Sequence, residues 1–209
     1  GCRLSELVGI NVEDLNFQDN SIKVIGKGGH GAVPQESIDP IVITCQIVNS
    51  LQTIVSRKIN PLDPVVITCG RIQGGDCHNV IPNEVELEGT IRTFNEETRN
   101  WVPKVMEDLI RGITTSQGAA YEFKYEPKYP ALINDKYMTS FAKESLKKVV
   151  GEENVFDLKE PNMGGEDFAY FAQKVPSAFI FVGIANNKSE PVIHHNPYFK
   201  WDSKNVGIL

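Results

Sequence analysis

The chain has 209 residues, and its 41% hydrophobic and 9% aromatic content can form the core of one large domain or of two small ones. Its 21 basic and 27 acidic side chains give a formal net charge of -6, which argues against a nucleic-acid partner. No run approaches the roughly 20 apolar residues that span a bilayer, so we expect no membrane partner. The four cysteines form no CxxC pair, which favours reduced, mostly buried thiols in a cytoplasmic protein.

The first predicted elements are a short apolar helix over residues 3–8, then a strand and a longer helix. Ile22 and Val24 alternate with polar residues at period two, which predicts the strand. Asp39 can cap the longer helix, which Pro40 opens, because proline at the first helical position sacrifices no hydrogen bond. One stripe of this helix is predicted to carry Ile41, Cys45, Val48, Gln52 and Val55.

The next segments complete a regular order of elements. PVVITCGRI, from Pro64, predicts a buried strand, and EVELEGTIRTF, from Glu84, alternates as a strand should. Asn95 can cap a second helix, and AAYEFKYEP predicts a further strand. The order over residues 21–129 is therefore strand, helix, strand, strand, helix, strand. This split βαβ pattern predicts a ferredoxin-like α+β domain, with a four-stranded antiparallel sheet and two helices on one face.

The remaining third of the chain predicts a different, α/β type of organisation. An amphipathic helix is predicted from Asp135 to Val150, and Gly151 is expected to end it. The segment PNMGGEDFAYF, a buried strand AFIFVG and the loop VIHHNPYF follow. We expect the strand to need neighbouring strands that residues 131–209 do not supply, which would leave an exposed apolar edge.

Three histidines and two carboxylates could carry chemistry. His30 lies in GKGGHGAVP, where glycines let the backbone approach a ligand, although it could also be an ordinary surface histidine. His194 and His195 precede Pro197; adjacent histidines do not readily bind one metal ion, so a solvated pair is the alternative. Glu166 and the aspartate after it could act as acid or base, or simply cap a helix.

A turn between two predicted strands adds a further candidate. His78 and Asn79 lie in GGDCHNVIP, and a turn of this kind can either bind a ligand or only reverse the chain. Taken one at a time, none of these motifs specifies a function.

Taken together, six segments resemble, in the same order, the zinc-dependent aminoacylase, hippurate hydrolase and carboxypeptidase family of metallo-amidohydrolases. The resemblance extends from about Ser21 to Leu209. The segments are GKGGHGAVP, DPIVITCQIVNSLQTIVSR, GGDCHNVIPNEVELEGTIRTFNEE, YPALIND, MGGEDFAYF and HHNPYF.

This resemblance implies a division of the chain and a subunit arrangement. Residues 21–130 would be the lid or dimerisation domain, and residues 131–209 the last part of an α/β metallo-hydrolase domain. The protein would form a homodimer through the lid. His30 would hydrogen-bond the substrate carbonyl and its oxyanion, in several members within the partner subunit's site.

The resemblance also implies roles for residues outside the His30 loop. Asn79 and Arg92 would contact the acyl and carboxylate ends of the substrate, and Glu166 would also bind it. His195, or His194 if the alignment shifts by one residue, would be a metal ligand. The cofactor would be a pair of divalent metal ions, with zinc the expected metal.

The implied reaction is hydrolysis of the amide bond of an N-acyl amino acid or similar peptide-like substrate. A metal-bound water would attack, with a glutamate as general base. In the family that glutamate and most metal ligands lie in an N-terminal segment that these 209 residues do not match. We therefore expect the chain to be inactive alone, and a non-catalytic dimerisation module is the alternative.

The first 28 residues resemble another family. GCRLSELVGINVEDLNFQDNSIKVIGKG is similar to the start of the catalytic domain of tyrosine recombinases of the Xer and phage-integrase type. Arg3 and Lys27 fall on residues that contact the scissile phosphate in that family. The later recombinase motifs are absent, so this resemblance predicts a recombinase-like remnant over residues 1–20, joined to the lid between about Ser21 and Gly28. A DNA recombinase is the third functional alternative.

Overall fold

The computed structural model describes residues 20–183 and residue 198. The chain divides between Lys128 and Tyr129 into two compact units. Arg3, His194 and His195 lie outside the described residues, as does the predicted helix over residues 3–8. Within the part that is described, no helix has the length and apolar character needed to cross a membrane.

The first unit has the predicted order of elements. The main ones are β1 (Asn20–Ile25), α1 (Pro40–Thr53), β3 (Val65–Gln73), β5 (Glu84–Thr93), α2 (Glu96–Ser116) and β6 (Ala120–Lys124). A π-helical turn, Ile54–Lys58, follows α1, and a 3₁₀ turn, Pro34–Glu36, precedes it. Two very short strands, β2 (Gly29–His30) and β4 (Val80–Ile81), form a separate two-stranded ribbon.

The four long strands form one antiparallel sheet in the order β3-β5-β1-β6. Both β1 and β3 run antiparallel to β5, so they are parallel to each other with β5 between them. This is the arrangement that a split βαβ pattern predicts. Cross-strand pairs then fix the faces: Leu87 lies opposite Ile22, and Val85 lies opposite Val24.

One face of the sheet and the two long helices enclose the core. The strands contribute Ile22, Val24, Val65, Ile67 and Leu87, and the helical segments contribute Ile43, Ile47, Leu51, Ile54, Val102, Met106 and Ile110. The stripe predicted for α1 is wrong, because Cys45 and Gln52 are exposed. The helix is apolar on most of its circumference, so periodicity alone did not distinguish the face that packs on the sheet.

Side-chain caps begin both helices where the sequence predicts them. Oδ1 of Asp39 accepts a hydrogen bond of 2.9 Å from the backbone N–H of Ile41. Oδ1 of Asn95 accepts bonds of 2.8 Å and 3.2 Å from the N–H groups of Glu97 and Thr98. These bonds satisfy donors that have no partner inside the helix, which is why the helices begin at these residues.

The other face of the sheet carries charged side chains in rows. Lys23 forms an ion pair of 3.0 Å with Glu84, and this hydrogen bond and the attraction between the charges raise the pKa of Lys23. Arg71 pairs with Glu88 and lies 3.9 Å from Glu86. Arg71 reaches this face because a β-bulge between Cys69 and Arg71 shifts the register of β3.

Helices are the regular elements in the described part of the second unit. It contains α3 (Lys136–Val150), a 3₁₀ turn (Glu152–Asn154) and the short α4 (Phe168–Ala172). Oδ1 of Asp135 caps α3 through a bond of 2.9 Å from the N–H of Met138. Gly151 ends the helix with φ +91°, a conformation that glycine adopts without strain.

The strand predicted for AFIFVG is wrong, because residues 178–183 adopt no regular secondary structure. A strand requires a hydrogen-bonded neighbour, and the described part of this unit contains no other strand that could pair with it. Asn134 instead holds Phe179, donating to its carbonyl at 2.9 Å and accepting from its N–H at 2.8 Å. Apolar side chains of this segment are exposed, with Phe181 57% and Ile180 46% exposed, but without a strand they do not form the predicted strand edge.

Candidate functional site

The short ribbon of β2 and β4 brings two predicted site residues together. His30 lies opposite Val80 in this ribbon, and the N–H of Gly31 donates a hydrogen bond of 2.8 Å to the carbonyl of Asn79. His30 and Asn79 are both exposed. Residues that are 49 positions apart in the sequence thus occupy neighbouring positions on one edge of the first unit.

The proton position of His30 follows from one local hydrogen bond. The backbone N–H of Ala32 donates to Nδ1 of His30 at 3.0 Å. A ring nitrogen that accepts this bond carries no proton, so the neutral imidazole holds its proton on Nε2. The exposed side of the ring is therefore a hydrogen-bond donor, suited to a carbonyl oxygen or to an oxyanion.

The segment that carries His30 is held from both sides. Lys27 and Ile38 exchange two backbone hydrogen bonds of 2.9 Å each. On the opposite side, the N–H of Gly26 donates to the carbonyl of Asn83 at 2.8 Å, and the N–H of Gly28 donates to Oδ1 of Asn83 at 3.0 Å. The side chain of Lys27 is exposed, and its backbone serves this pairing.

Arg92 lies on the open face of the sheet, at the other end of β5. It follows Glu84 by eight residues in the strand, which corresponds to about 26 Å. Its Nη1 donates to the carbonyl of Ile91 at 3.0 Å, and Val66 is its cross-strand neighbour. The described residues place no carboxylate in an ion pair with Arg92, whereas Arg71 on the same face is paired. Arg92 is thus available to an external anion, but far from His30.

Glu166 belongs to the second unit. Its carbonyl accepts a bond of 3.2 Å from the N–H of Ala169 at the start of α4. Asp167 occupies the N-cap position of α4, yet its side chain makes no capping bond. The structure therefore gives Asp167 no capping role, and the role of Glu166 toward a substrate stays a prediction.

The metal ligands predicted from sequence fall outside the described residues, as His195 and His194 both do. Across residues 20–183 and residue 198, no three or more His, Cys, Asp or Glu side chains form a group that could hold a metal ion. The described residues alone therefore do not form a site that fits a divalent metal.

The cysteines differ from their prediction in burial. Cys45, Cys69 and Cys77 are free thiols, as expected, but Cys45 and Cys77 are exposed. Burial raises the pKa of the Cys69 thiol above its ordinary value.

Asn83 is a residue that the sequence analysis missed. It lies in the two-residue connection between β4 and β5, where it accepts both hydrogen bonds from the His30 segment. A short polar side chain directly after proline at a strand boundary was the available signal. That signal identifies a turn, but it does not identify the segment on which the turn packs.

Comparison with known proteins yields one family and many relatives. The model of peptidase family M20/M25/M40 matches residues 5–208. N-acetylcysteine deacetylase from Bacillus subtilis (strain 168) is 40% identical over 187 residues, covering 90% of this chain and 47% of that protein. An N-acyl-L-amino acid amidohydrolase from Geobacillus stearothermophilus is 50% identical over 113 residues, covering 54% of this chain and 30% of that protein.

Solved structures agree with this result. The Bacillus subtilis YXEP protein, described as a dinuclear metal binding peptidase from the M20 family, aligns with a TM-score of 0.61 and 30% identity. The alignment covers 91% of this chain and 47% of that one. The chain thus spans about half the length of such relatives.

The recombinase resemblance of residues 1–28 receives no support from these comparisons. The family match begins at residue 5 and continues through that segment. Lys27, the described member of the expected phosphate-binding pair, lies in the segment that carries His30.

Proposed function

Because the chain belongs to peptidase family M20/M25/M40, we propose that it supplies the lid and the C-terminal part of the catalytic domain of an amidohydrolase. The substrate would be an N-acyl amino acid or a similar small peptide-like amide, and the reaction hydrolysis of its C–N bond. The names of the deacetylase and amidohydrolase relatives support this substrate class.

One observation carries the proposal: the Ala32 N–H occupies Nδ1 of His30, which leaves the Nε2–H free to donate. When water attacks an amide carbonyl, negative charge develops on its oxygen, and a fixed N–H donor stabilises that charge. The exposed position of His30 suits this role, because the donor can enter a site formed by other residues. His30 would bind the oxyanion without exchanging a proton.

Arg92 would bind the carboxylate of the amino acid. A guanidinium can donate two parallel hydrogen bonds to a carboxylate, and no acidic side chain among the described residues competes for it. The length of β5 between the two ends of the lid argues against one small substrate contacting His30 and Arg92 of the same copy. We therefore propose a homodimer in which His30 reaches the substrate held by the other copy.

The exposed apolar surface of α1 supports an interface between two copies of the chain. Val42 is 63% exposed and Ile41 is 41% exposed, next to the exposed Cys45. Apolar residues grouped on one helix face in this way are typical of an interface between copies. The three cysteines of the described residues, which are free thiols, also fit a cytosolic protein.

A pair of divalent metal ions, with zinc the expected metal, would supply the attacking water. The description of the YXEP protein as dinuclear supports two metals in this family. His195, or His194, would contribute one ligand. We assign no reaction step to these ions, because the described residues form no ligand cluster of their own.

A non-catalytic dimerisation module is the second candidate. The observation that favours it is the first unit, whose sheet and helices enclose a complete core.

A hybrid enzyme tests the first candidate. In the hybrid, this chain replaces the aligned half of the Bacillus subtilis N-acetylcysteine deacetylase. With zinc added, we expect it to hydrolyse N-acetyl and N-benzoyl amino acids. His30→Ala should lower kcat roughly 100-fold to 1000-fold with little change in KM, because the donor acts on charge that develops during the reaction.

His78→Ala is the matched control, because His78 is an exposed histidine in a turn of the same unit. Equal kcat values for the two variants would contradict the role of His30. A folded, zinc-loaded and dimeric hybrid without turnover would favour the module.

A further inference from the structure

We propose that Asn83 is a positioning residue for His30. Its side-chain oxygen would fix Gly28 and thereby the direction in which the imidazole points. This inference rests on the proposed function, because it concerns the same histidine. Asn83 itself would touch neither the substrate nor a metal.

The role of Asn83 follows from unequal segment lengths. The β1–β5 pairing ends at Ile25 opposite Glu84, and the β2–β4 pairing begins at Gly29 opposite Ile81. Three residues connect Ile25 to Gly29, whereas only two connect Ile81 to Glu84 on the facing segment. A regular ladder therefore cannot continue through this gap. One of the two, Pro82, also lacks an N–H donor.

Asn83 compensates by supplying two acceptors where a regular strand residue supplies one. Its backbone carbonyl accepts from Gly26 at 2.8 Å, and its Oδ1 accepts from Gly28 at 3.0 Å. The residue between these glycines, Lys27, faces the other way and pairs with Ile38. The side chain of Asn83 therefore completes the pairing that leads directly into β2.

The consequence for His30 arises from the glycines that precede it. Without the Asn83 side chain, the N–H of Gly28 has no acceptor in the described structure, and the backbone of Gly28 is less constrained, because glycine has no side chain to restrict its backbone angles. Rotation there would turn β2 away from β4 and redirect Nε2 of His30. Among the described residues, the side chain of Asn83 is used only through its oxygen, so aspartate should replace it and alanine should not.

Nuclear magnetic resonance of the complete 209-residue chain tests this inference without any turnover. The side-chain nitrogens of the four histidines would be recorded, and the His30→Ala spectrum would assign those of His30. In the unaltered chain, we expect an unprotonated Nδ1 and a protonated Nε2 for His30. Asn83→Ala should average the two tautomers and speed hydrogen exchange of the Gly28 amide about tenfold.

Asn83→Asp should restore both signals, because it keeps the acceptor. Asn60→Ala is the matched control, since Oδ1 of Asn60 accepts the same kind of bond from the N–H of Leu62, at 3.0 Å. It should leave His30 and Gly28 unchanged. If Asn83→Ala does not fold, Asn83→Leu keeps the volume without the acceptor and takes its place.

Unchanged His30 tautomers and unchanged Gly28 exchange in the folded alanine or leucine variant would overturn the inference. Failure of the proposed function would appear elsewhere, as a hybrid enzyme whose kcat does not respond to His30→Ala. The two failures are therefore distinguishable.

Discussion

The backbone N–H of Glu126 donates a hydrogen bond of 2.7 Å to Oδ1 of Asn20, although 106 positions separate the two residues. Asn20 is the first residue of β1, and Glu126 follows the end of β6. This bond joins the two chain segments at which the described part of the first unit begins and ends. Asn20→Ala should weaken the local stability of β1 and β6 by about 1 kcal/mol.

Amide hydrogen exchange in β1 and β6 is the measurement, and an increase of about fivefold is expected. Asn20→Asp retains an acceptor oxygen and should leave the exchange rates close to the original values. Faster exchange confined to the core strand β5 would contradict this assignment, since the bond does not involve β5.

A side chain at position 29 would displace the hydroxyl of Ser37. A Cβ on Gly29 would lie 2.2 Å from Oγ of Ser37 and 3.5 Å from its Cβ. Gly29→Ala should therefore lower the free energy of unfolding by about 1–3 kcal/mol. Urea unfolding followed by circular dichroism would measure the change.

The Ser37 hydroxyl offers an internal control. It is buried and has no hydrogen-bond partner among the described residues, so Ser37→Ala alone should cost little or should stabilise the protein. The double variant should recover more than half of the loss caused by Gly29→Ala. Additive effects of the two substitutions would mean that backbone conformation, and not this contact, requires the glycine.

Most of the first unit could be predicted from the sequence because its signals are local. Alternation of Val85 and Leu87 identifies a strand face, and Asp39 and Asn95 mark helix starts by a bond within two or three residues. The same reasoning fails for the α1 face, because neighbouring Val42 and Ile43 are equally apolar although only Ile43 is buried. Choosing between them requires the sheet, which local periodicity does not contain.

The candidate site was only partly predictable. His30 and Asn79 stand in recognisable motifs, and the structure brings them together. Asn83 acts through a mismatch in the lengths of two facing segments, which depends on strand pairing and not on either segment alone. The strand prediction for AFIFVG is wrong for a similar reason, because a strand forms only when a neighbouring strand pairs with it.

Arg92 should bind the substrate carboxylate of the hybrid enzyme. Arg92→Ala should raise KM roughly 10-fold to 100-fold, because a desolvated, bidentate contact would be lost. Arg92→Lys should recover only part of the loss, since an ammonium cannot donate in a planar pair. The measurement compares KM for N-acetyl amino acids with KM for the corresponding N-acetyl amino acid amides, which lack the carboxylate.

Arg71→Ala is the matched control on the same face. Arg71 is engaged with Glu88, so its removal should leave KM near the original value. Equal effects of both substitutions, or an equal loss for the amide substrates, would contradict a specific carboxylate contact.

The thiols should differ in reactivity. Burial raises the pKa of Cys69, so at pH 8 a smaller fraction is thiolate, whereas Cys45 and Cys77 are exposed. Alkylation by iodoacetamide, followed by peptide mass spectrometry, should modify Cys69 after Cys45 and Cys77. Raising the pH toward the elevated pKa should increase the Cys69 rate. A Cys69 rate that matches that of Cys77 at pH 8 would argue against the burial.

Gly70 is the residue of β3 that β5 leaves unpaired, because Cys69 lies opposite Gly89 and Arg71 lies opposite Glu88. A chain without Gly70 would join the two halves of β3 into one regular strand, with every side chain on its present face. With Gly70 in place, the outer edge of β3 offers uninterrupted backbone only from Val65 to Cys69. Copies of the first unit that met along this edge could share only a short ladder of backbone hydrogen bonds.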